Sequence, residues 1–226
     1  MIIAGGHKEN FTEHDKIIEK ILESESRELE AYENFEKKYK YTDINKKVIP
    51  KFLGSFKKGE KTIIKLENLK SHFKKGPLSI IDLKMMTAKM RREYGDIYKV
   101  NGFRVAGLVQ GEVVIHGVGV KKSDTTHSFI TKNFNMMTAH LTDKKGILHT
   151  ELATDIIKQL EYCKLFAEKE PIYNSSILIL TDYSKVVCRI IDFGHYRKKK
   201  LSGGIDPDKV IDKIISYYNC ISKISN

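Results

Sequence analysis

Cysteine is scarce in this chain. The three present, Cys163, Cys188 and Cys220, form no C-x-x-C pair. An odd, sparse count argues against a disulfide framework or a cysteine-based zinc site and for a reducing compartment, so an intracellular protein, cytoplasmic or nuclear, is expected. Long apolar runs are missing as well: no stretch approaches the ~20 residues of a membrane span. The opening Met1-Ile2-Ile3-Ala4-Gly5-Gly6 lacks the basic start and apolar core of a secretory signal. Eight histidines include no H-E-x-x-H spacing. There is no G-x-G-x-x-G loop, no G-x-x-x-x-G-K-[ST] loop and no H-R-D loop, which argues against a protein kinase or a P-loop enzyme. What remains is a 26.0 kDa chain with 41% hydrophobic and 31% charged residues, enough for one large domain or two small lobes sharing a cleft.

The net charge of +11 is unevenly spread. Residues 1–33 carry a net −5, residues 34–104 a net +12 and residues 105–226 a net +4. A basic middle beside an acidic start suits a polyanionic partner such as nucleic acid, phospholipid headgroups or small polyphosphates, or else a lysine-rich solvated face.

Periodicity gives an α+β chain. Ile17, Ile18, Ile21 and Leu22, with Lys20 among them, predict a strand. Leu29, Tyr32, Phe35 and Tyr39 recur at helical spacing. Pro50 and Gly54 predict a break, and Thr62–Leu66 a strand followed by a polar connector over 67–76. Ser79–Lys84 predicts another strand, and Phe103–Val109 with Glu112–Val120 a hairpin. Residues 121–150 are expected to be loop-like or mixed. Leu152, Ile156, Leu160, Cys163 and Ala167 predict a helix, and Ser176–Thr181 with Val186–Ile191 a second hairpin. Asp206 and Pro207 open a last helix lined by Val210, Ile211, Ile214, Ile215, Tyr218 and Ile221.

Four features can carry chemistry. Lys20, on a strand, and Glu28, on the next helix, have the types and order of a pair that holds nucleotide phosphates. Lys65-Leu66-Glu67-Asn68-Leu69 runs a strand into a connector whose backbone could meet an adenine ring. Asp82 and Lys84 alternate on one strand and so share a face; the carboxylate could take a hydroxyl proton or orient a sugar hydroxyl, and the ammonium could hold a phosphate. The bland alternative is an edge-strand ion pair. Asp192 ends an apolar strand just before Gly194, where a carboxylate is well placed to bind Mg²⁺.

Taken in order, these stretches resemble the inositol polyphosphate kinase family. Its P-x-x-x-D-x-K-x-G signature corresponds to Pro77 through Met86, its S-S-L-L strand to Ser175-Ser176-Ile177-Leu178, and its I-D-F-[AG]-[HK] to Ile191-Asp192-Phe193-Gly194-His195. Its L-E-D-L connector resembles Leu66-Glu67-Asn68-Leu69, its G-F-R-I-x-G strand Gly102–Gly107, its A-G-H segment Ala4-Gly5-Gly6-His7, and its E-x-x-F-Y helix Glu28–Tyr32. Two departures stand out: the proline lies one residue early, and Met86 replaces the signature glycine.

The resemblance implies a two-lobed, protein-kinase-like fold, related to ATP-grasp, with ATP between lobes. An N-terminal lobe of residues 1–66, a hinge of 67–70 and a C-terminal lobe of 71–226 are expected, with an inositol phosphate-binding segment near 85–101. Lys20 would hold ATP phosphates, Glu67 and Leu69 would meet adenine, and Asp192, with Ser176 nearby, would bind Mg²⁺. Lys84 would contact the transferred or substrate phosphate. Asp82 would be the base for an inositol hydroxyl or a ribose contact. Lys89, Arg91, Arg92 and His195 would hold the inositol polyphosphate, through bidentate arginine capture in part. A minimal kinase core without a calmodulin-binding arm is expected, with no membrane and no stable nucleic-acid partner. The products could be pyrophosphates, from a hexakisphosphate kinase, or phosphorylated hydroxyls, from a multikinase. A catalytically degenerate binder of inositol phosphates is the competing expectation, motivated by Met86, and a nucleic-acid-binding module is the distant one.

Overall fold

Alternation along the strands builds two antiparallel sheets. The computed structural model describes residues 8–40, 42, 47–74, 76–86, 97, 100–117, 125–197 and 205–224. The first sheet combines β1 (Phe11–Glu13), β2 (Ile17–Ile21), β3 (Phe52–Lys58) and β4 (Lys61–Glu67) in the order β1-β2-β4-β3. Helix α1 (Glu28–Tyr39) leaves from β2 and packs on β3. A 3-10 turn over Leu69–His72 leads to the second sheet: β5 (Ser79–Met85), β6 (Phe103–Gln110), β7 (Val113–His116), β8 (Ser176–Thr181) and β9 (Val186–Ile191), in the order β7-β6-β5-β8-β9. Helices α2 (Thr126–His140), α3 (Thr150–Lys169) and α4 (Pro207–Ile221), with a 3-10 turn over Lys8–Asn10, complete the described elements.

The period of two decides what each face of the second sheet meets. Ile81, Leu83 and Met85 of β5 join Val105, Ile177, Ile179, Cys188 and Ile190 in the main core, with Ile156, Leu160, Ile211 and Ile214 from the helices. The alternate residues Ile80, Asp82 and Lys84 face the other way, into a cleft between the sheets. Beside the cleft, a smaller apolar cluster of Leu69, Phe73, Ile80, Val109, Leu180 and Val187 seats the 3-10 turn on that same face.

Helix α1 is anchored to the second half of the chain by aromatic edges. Phe35 meets Phe166 at 5.0 Å and Phe193 at 5.1 Å between ring centroids, and Tyr32 meets Phe193 at 5.3 Å. At its far end Tyr39 donates to the buried Glu170 carboxylate, which also binds Lys38 Nζ at 2.5 Å.

Two expectations are corrected. Gly54 does not interrupt the chain, because it lies within β3 at φ +114° and the register shift between Phe52 and Gly54 absorbs the irregularity, whereas Pro50 does stand in a break, just ahead of β3. Residues 126–140 are a helix rather than a loop. Thr125 and Ser128 close a reciprocal capping box at its start, and the inward positions include the polar Asn133 and His140, which hide the apolar stripe. The segment Ala4–His7 and the basic residues Lys89, Arg91 and Arg92 lie outside the described residues.

Candidate functional site

The cleft between the sheets has a volume of about 470 Å³. Its lining changes character along the strands. On β5 the cleft-facing order is Ile80, Asp82, Lys84; on β8, antiparallel to it, Leu180, Leu178 and Ser176 lie alongside. Across the cleft, Ile18 and then Lys20 follow the same order on β2. One end is therefore an apolar slot, closed by Leu66 and Leu69, and the other end is charged. Two-residue steps of roughly 6.6 Å separate these rows, so the site suits a flat apolar ring attached to an anionic chain.

Asp192 is the hub of the charged end. Lys84 Nζ lies 2.5 Å from its Oδ2 and Lys20 Nζ 3.2 Å from its Oδ1. Burial acts to raise its pKa, but the two ammonium groups outweigh burial and hold the carboxyl at about 2. Asp192 adopts φ +66°, one of three non-glycine residues with positive φ among the described residues, and its side chain keeps 42% exposure toward the cleft. A left-handed aspartate is tolerated better than most residues and turns the side chain off the strand path.

Lys20 also meets Glu28 of α1, Nζ to Oε2 at 2.6 Å. Burial pushes the Lys20 ammonium down and the Glu28 carboxyl up. Two carboxylates on one ammonium decide the balance and hold the proton on Lys20, whose pKa is raised. Docking of α1 on Phe193, the neighbour of Asp192, and a bond from Arg27 N to Gly194 O at 3.2 Å fix Glu28 and Asp192 relative to one another.

Asp82 is 8% exposed and burial raises its pKa, opposed by the Ser176 hydroxyl that donates to it and by the Lys84 charge. Its Oδ1 has no hydrogen-bond partner. A buried oxygen left unpaired beside a cleft marks a place for a donor from a ligand. The strand is central, not an edge, and Lys84 pairs with Asp192. The simple edge-strand ion pair is thus corrected.

The connector is tied down by a residue to which the sequence assigned no role of its own. Asn68, buried, accepts from Lys70 N at 3.1 Å and donates to His14 O at 2.8 Å, joining the connector to the β1–β2 turn. Glu67 is held by His72 at 2.8 Å and by Lys51 N at 3.2 Å, and its own N–H goes to Lys51 O. Leu69 opens the 3-10 turn, where an N–H has no partner within the turn. His195 is exposed and is not among the residues that line the cleft. Arg104 does line the cleft, although the sequence placed it only within a G-F-R stretch. Met86 keeps an ordinary φ and donates its N–H to Gly102 O at 2.8 Å, so its position does not demand glycine.

No group of three or more acidic, histidine or cysteine side chains suited to a metal exists among the described residues. The oxygen donors Asp192, Asp82 and Ser176 on the cleft floor fit Mg²⁺ or Mn²⁺ only in the manner of a nucleotide-bound ion, which takes one or two carboxylates and completes its shell with phosphates and water.

No family model matches the chain, and no curated protein matches its sequence. In shape it is similar to the inositol phosphate multikinase of S. cerevisiae, solved in complex with ADP and Mn²⁺. The TM-score is 0.57 at 18% identity, over 91% of this chain and 98% of that one. The chain has the two-sheet α+β fold of that kinase.

Proposed function

We propose that the protein is an ATP-dependent inositol polyphosphate kinase of the hexakisphosphate kinase or multikinase type. The observation that carries this reading is Asp192 held between Lys20 and Lys84 at the charged end of an apolar cleft. Residues 1–66 serve as the N-terminal lobe, 67–70 as the hinge and 71–226 as the C-terminal lobe. Adenine occupies the slot between Ile18, Leu66 and Leu178, near the backbone of Glu67 and Leu69. Lys20, oriented by Glu28, holds the nucleotide phosphates. Asp192, with Ser176 nearby, holds a divalent ion, Mg²⁺ or Mn²⁺, which when bound neutralises charge on the transferring group.

An oxygen of the acceptor attacks the terminal phosphorus as the bond to ADP breaks. Lys84 follows the charge on the phosphoryl oxygens. Asp82, with Oδ1 unpaired, either takes the proton of an attacking hydroxyl or accepts from a ribose hydroxyl. Lys89, Arg91 and Arg92 hold acceptor phosphates. Positioning and charge stabilisation do the catalysis.

Incubation with ATP, Mg²⁺ and inositol phosphates bearing three to six phosphates tests this directly, with products separated by charge. One acceptor is expected to gain a phosphate with release of ADP, and Asp192→Asn is expected to abolish the gain. Tight binding of the panel without transfer by the unmodified protein would favour a degenerate binder. Duplex binding with a steep salt dependence and no use of ATP would favour a nucleic-acid module.

A further inference from the structure

Arg104 is the second residue of β6, directly opposite Lys84 on β5. Opposed residues on antiparallel neighbours project from the same face, and both side chains line the cleft. Two cations so placed repel one another. Lys84 is answered by Asp192. Arg104 makes no ion pair or hydrogen bond among the described residues, although it is half-buried. Asp82 feels its charge, yet Asp82 Oδ1 remains unbonded. A guanidinium carries five donors and no acceptor, so taking it partly out of water without an anion is unfavourable. An anion with paired oxygens would complete this environment, and a phosphate has the geometry for the arginine fork.

The strand order says whose phosphate it is. Ser176 on β8 and Asp192 after β9 lie to one side of Lys84, and Arg104 on β6 lies to the other. Three strand spacings, about 14 Å, separate β6 from β9. A nucleotide tail held by Lys20 and Asp192 ends near Lys84, so Arg104 reaches what lies beyond it. We propose that Arg104 binds a phosphate of the acceptor on the side of Lys84 away from Asp192, and so helps to select a polyphosphorylated acceptor. This rests on the kinase reading above.

The test uses the full chain with Arg104→Gln and Arg104→Lys. Calorimetry measures inositol hexakisphosphate and, separately, ADP with Mn²⁺. For Arg104→Gln, hexakisphosphate affinity is expected to fall by about tenfold or more, with ADP–Mn²⁺ affinity within about twofold of the parent. The acceptor KM should rise in parallel while the ATP KM holds. Arg104→Lys should recover part of the loss. Unchanged hexakisphosphate affinity would overturn the proposal, as would a fall in kcat with both affinities intact and a shifted pH profile, which would mark Arg104 as acting through Asp82. If Arg104→Gln loses both ligands, Arg104→Lys decides: weakened hexakisphosphate with intact ADP–Mn²⁺ binding supports the assignment, and parallel loss overturns it. If the parent binds hexakisphosphate but transfers a phosphoryl group to no inositol phosphate bearing three to six phosphates, the kinase reading fails while the affinity comparison still judges Arg104. A parent that binds no inositol phosphate overturns both.

Discussion

Asp192 combines three properties that seldom coincide in one residue: a left-handed backbone, a carboxyl held at about 2, and two lysines on its two oxygens. Asparagine tolerates the same backbone, so Asp192→Asn separates charge from conformation. Turnover should fall by about a thousandfold, equivalent to several kcal/mol of barrier, while the far-ultraviolet spectrum stays that of the parent. Near-parental turnover in the folded variant would remove Asp192 from the metal role. Asp82 and Lys84 call for a finer comparison. Lys84→Ala should lower kcat strongly. Asp82→Asn should lower kcat if the carboxylate takes a proton, and should chiefly raise the KM for ATP if it holds ribose. Steady-state constants for both variants discriminate the roles, and parental values in both would dismiss the Asp82–Lys84 assignment.

Among the elements, β6 sets the geometry that β5 presents. The pairing of β5 with β6 shifts between Asp82 and Leu83, leaving Ala106 as the extra residue of a bulge beside the two charged positions. The Val105 N–H at this bulge is taken by Asn133 Oδ1 at 2.8 Å, and Asn133 Nδ2 donates to Phe129 O at 3.0 Å. A buried asparagine in α2 thus completes the ladder one strand from the cleft-lining residues of β5. Asn133→Leu should cost about 1–3 kcal/mol in a urea titration, because a buried N–H loses its acceptor, and should lower kcat as well. Thr125→Ala, at the exposed cap of the same helix, should cost about 1 kcal/mol and leave kcat unchanged. Equal kcat in both variants would mean that the bulge does not position the site.

For the molecule as a whole, a buried histidine should link stability to acid. His140 closes α2, is fully buried, and meets Ser79 Oγ through Nδ1 at 2.8 Å. Burial pushes its pKa down to about 3, against about 6.5 in an unfolded chain. Between those values the unfolded chain binds more protons, so stability is full above pH 6.5 and is lost as pH falls toward 3, at about 1.4 kcal/mol per unit. From pH 6.5 to 5 the parent should lose about 2 kcal/mol more than His140→Gln, a window in which ordinary carboxylates barely titrate. Parallel urea midpoints for the two proteins across that window would refute the assignment. No helix among the described residues is long and apolar enough to cross a membrane.

Local pattern was enough for most of the elements, because periods of 3.6 and 2 are properties of a segment's own residues. The α4 helix opened by Pro207, the β8–β9 hairpin and the Ile80–Lys84 alternation could all be read from the chain, although Asp206 makes no side-chain cap hydrogen bond. So could the residue types that meet in the cleft, Lys20, Asp82, Lys84, Ser176 and Asp192. Their joint spacing along the chain was informative even though each motif is short. Helix α2 was hidden because Asn133 and His140 occupy core positions through hydrogen bonds supplied by other strands, and a polar residue at a core position has no local signature. Strand β3 was hidden because a bulge at Gly54 imitates a chain break. Tertiary structure alone decided that Lys84 pairs with Asp192, 108 positions along the chain, rather than with Asp82 two residues away. The same holds for Arg104, whose place opposite Lys84 depends on strand register. Register is set by the burial of one whole face of the sheet, and that quantity belongs to the assembled sheet rather than to any segment.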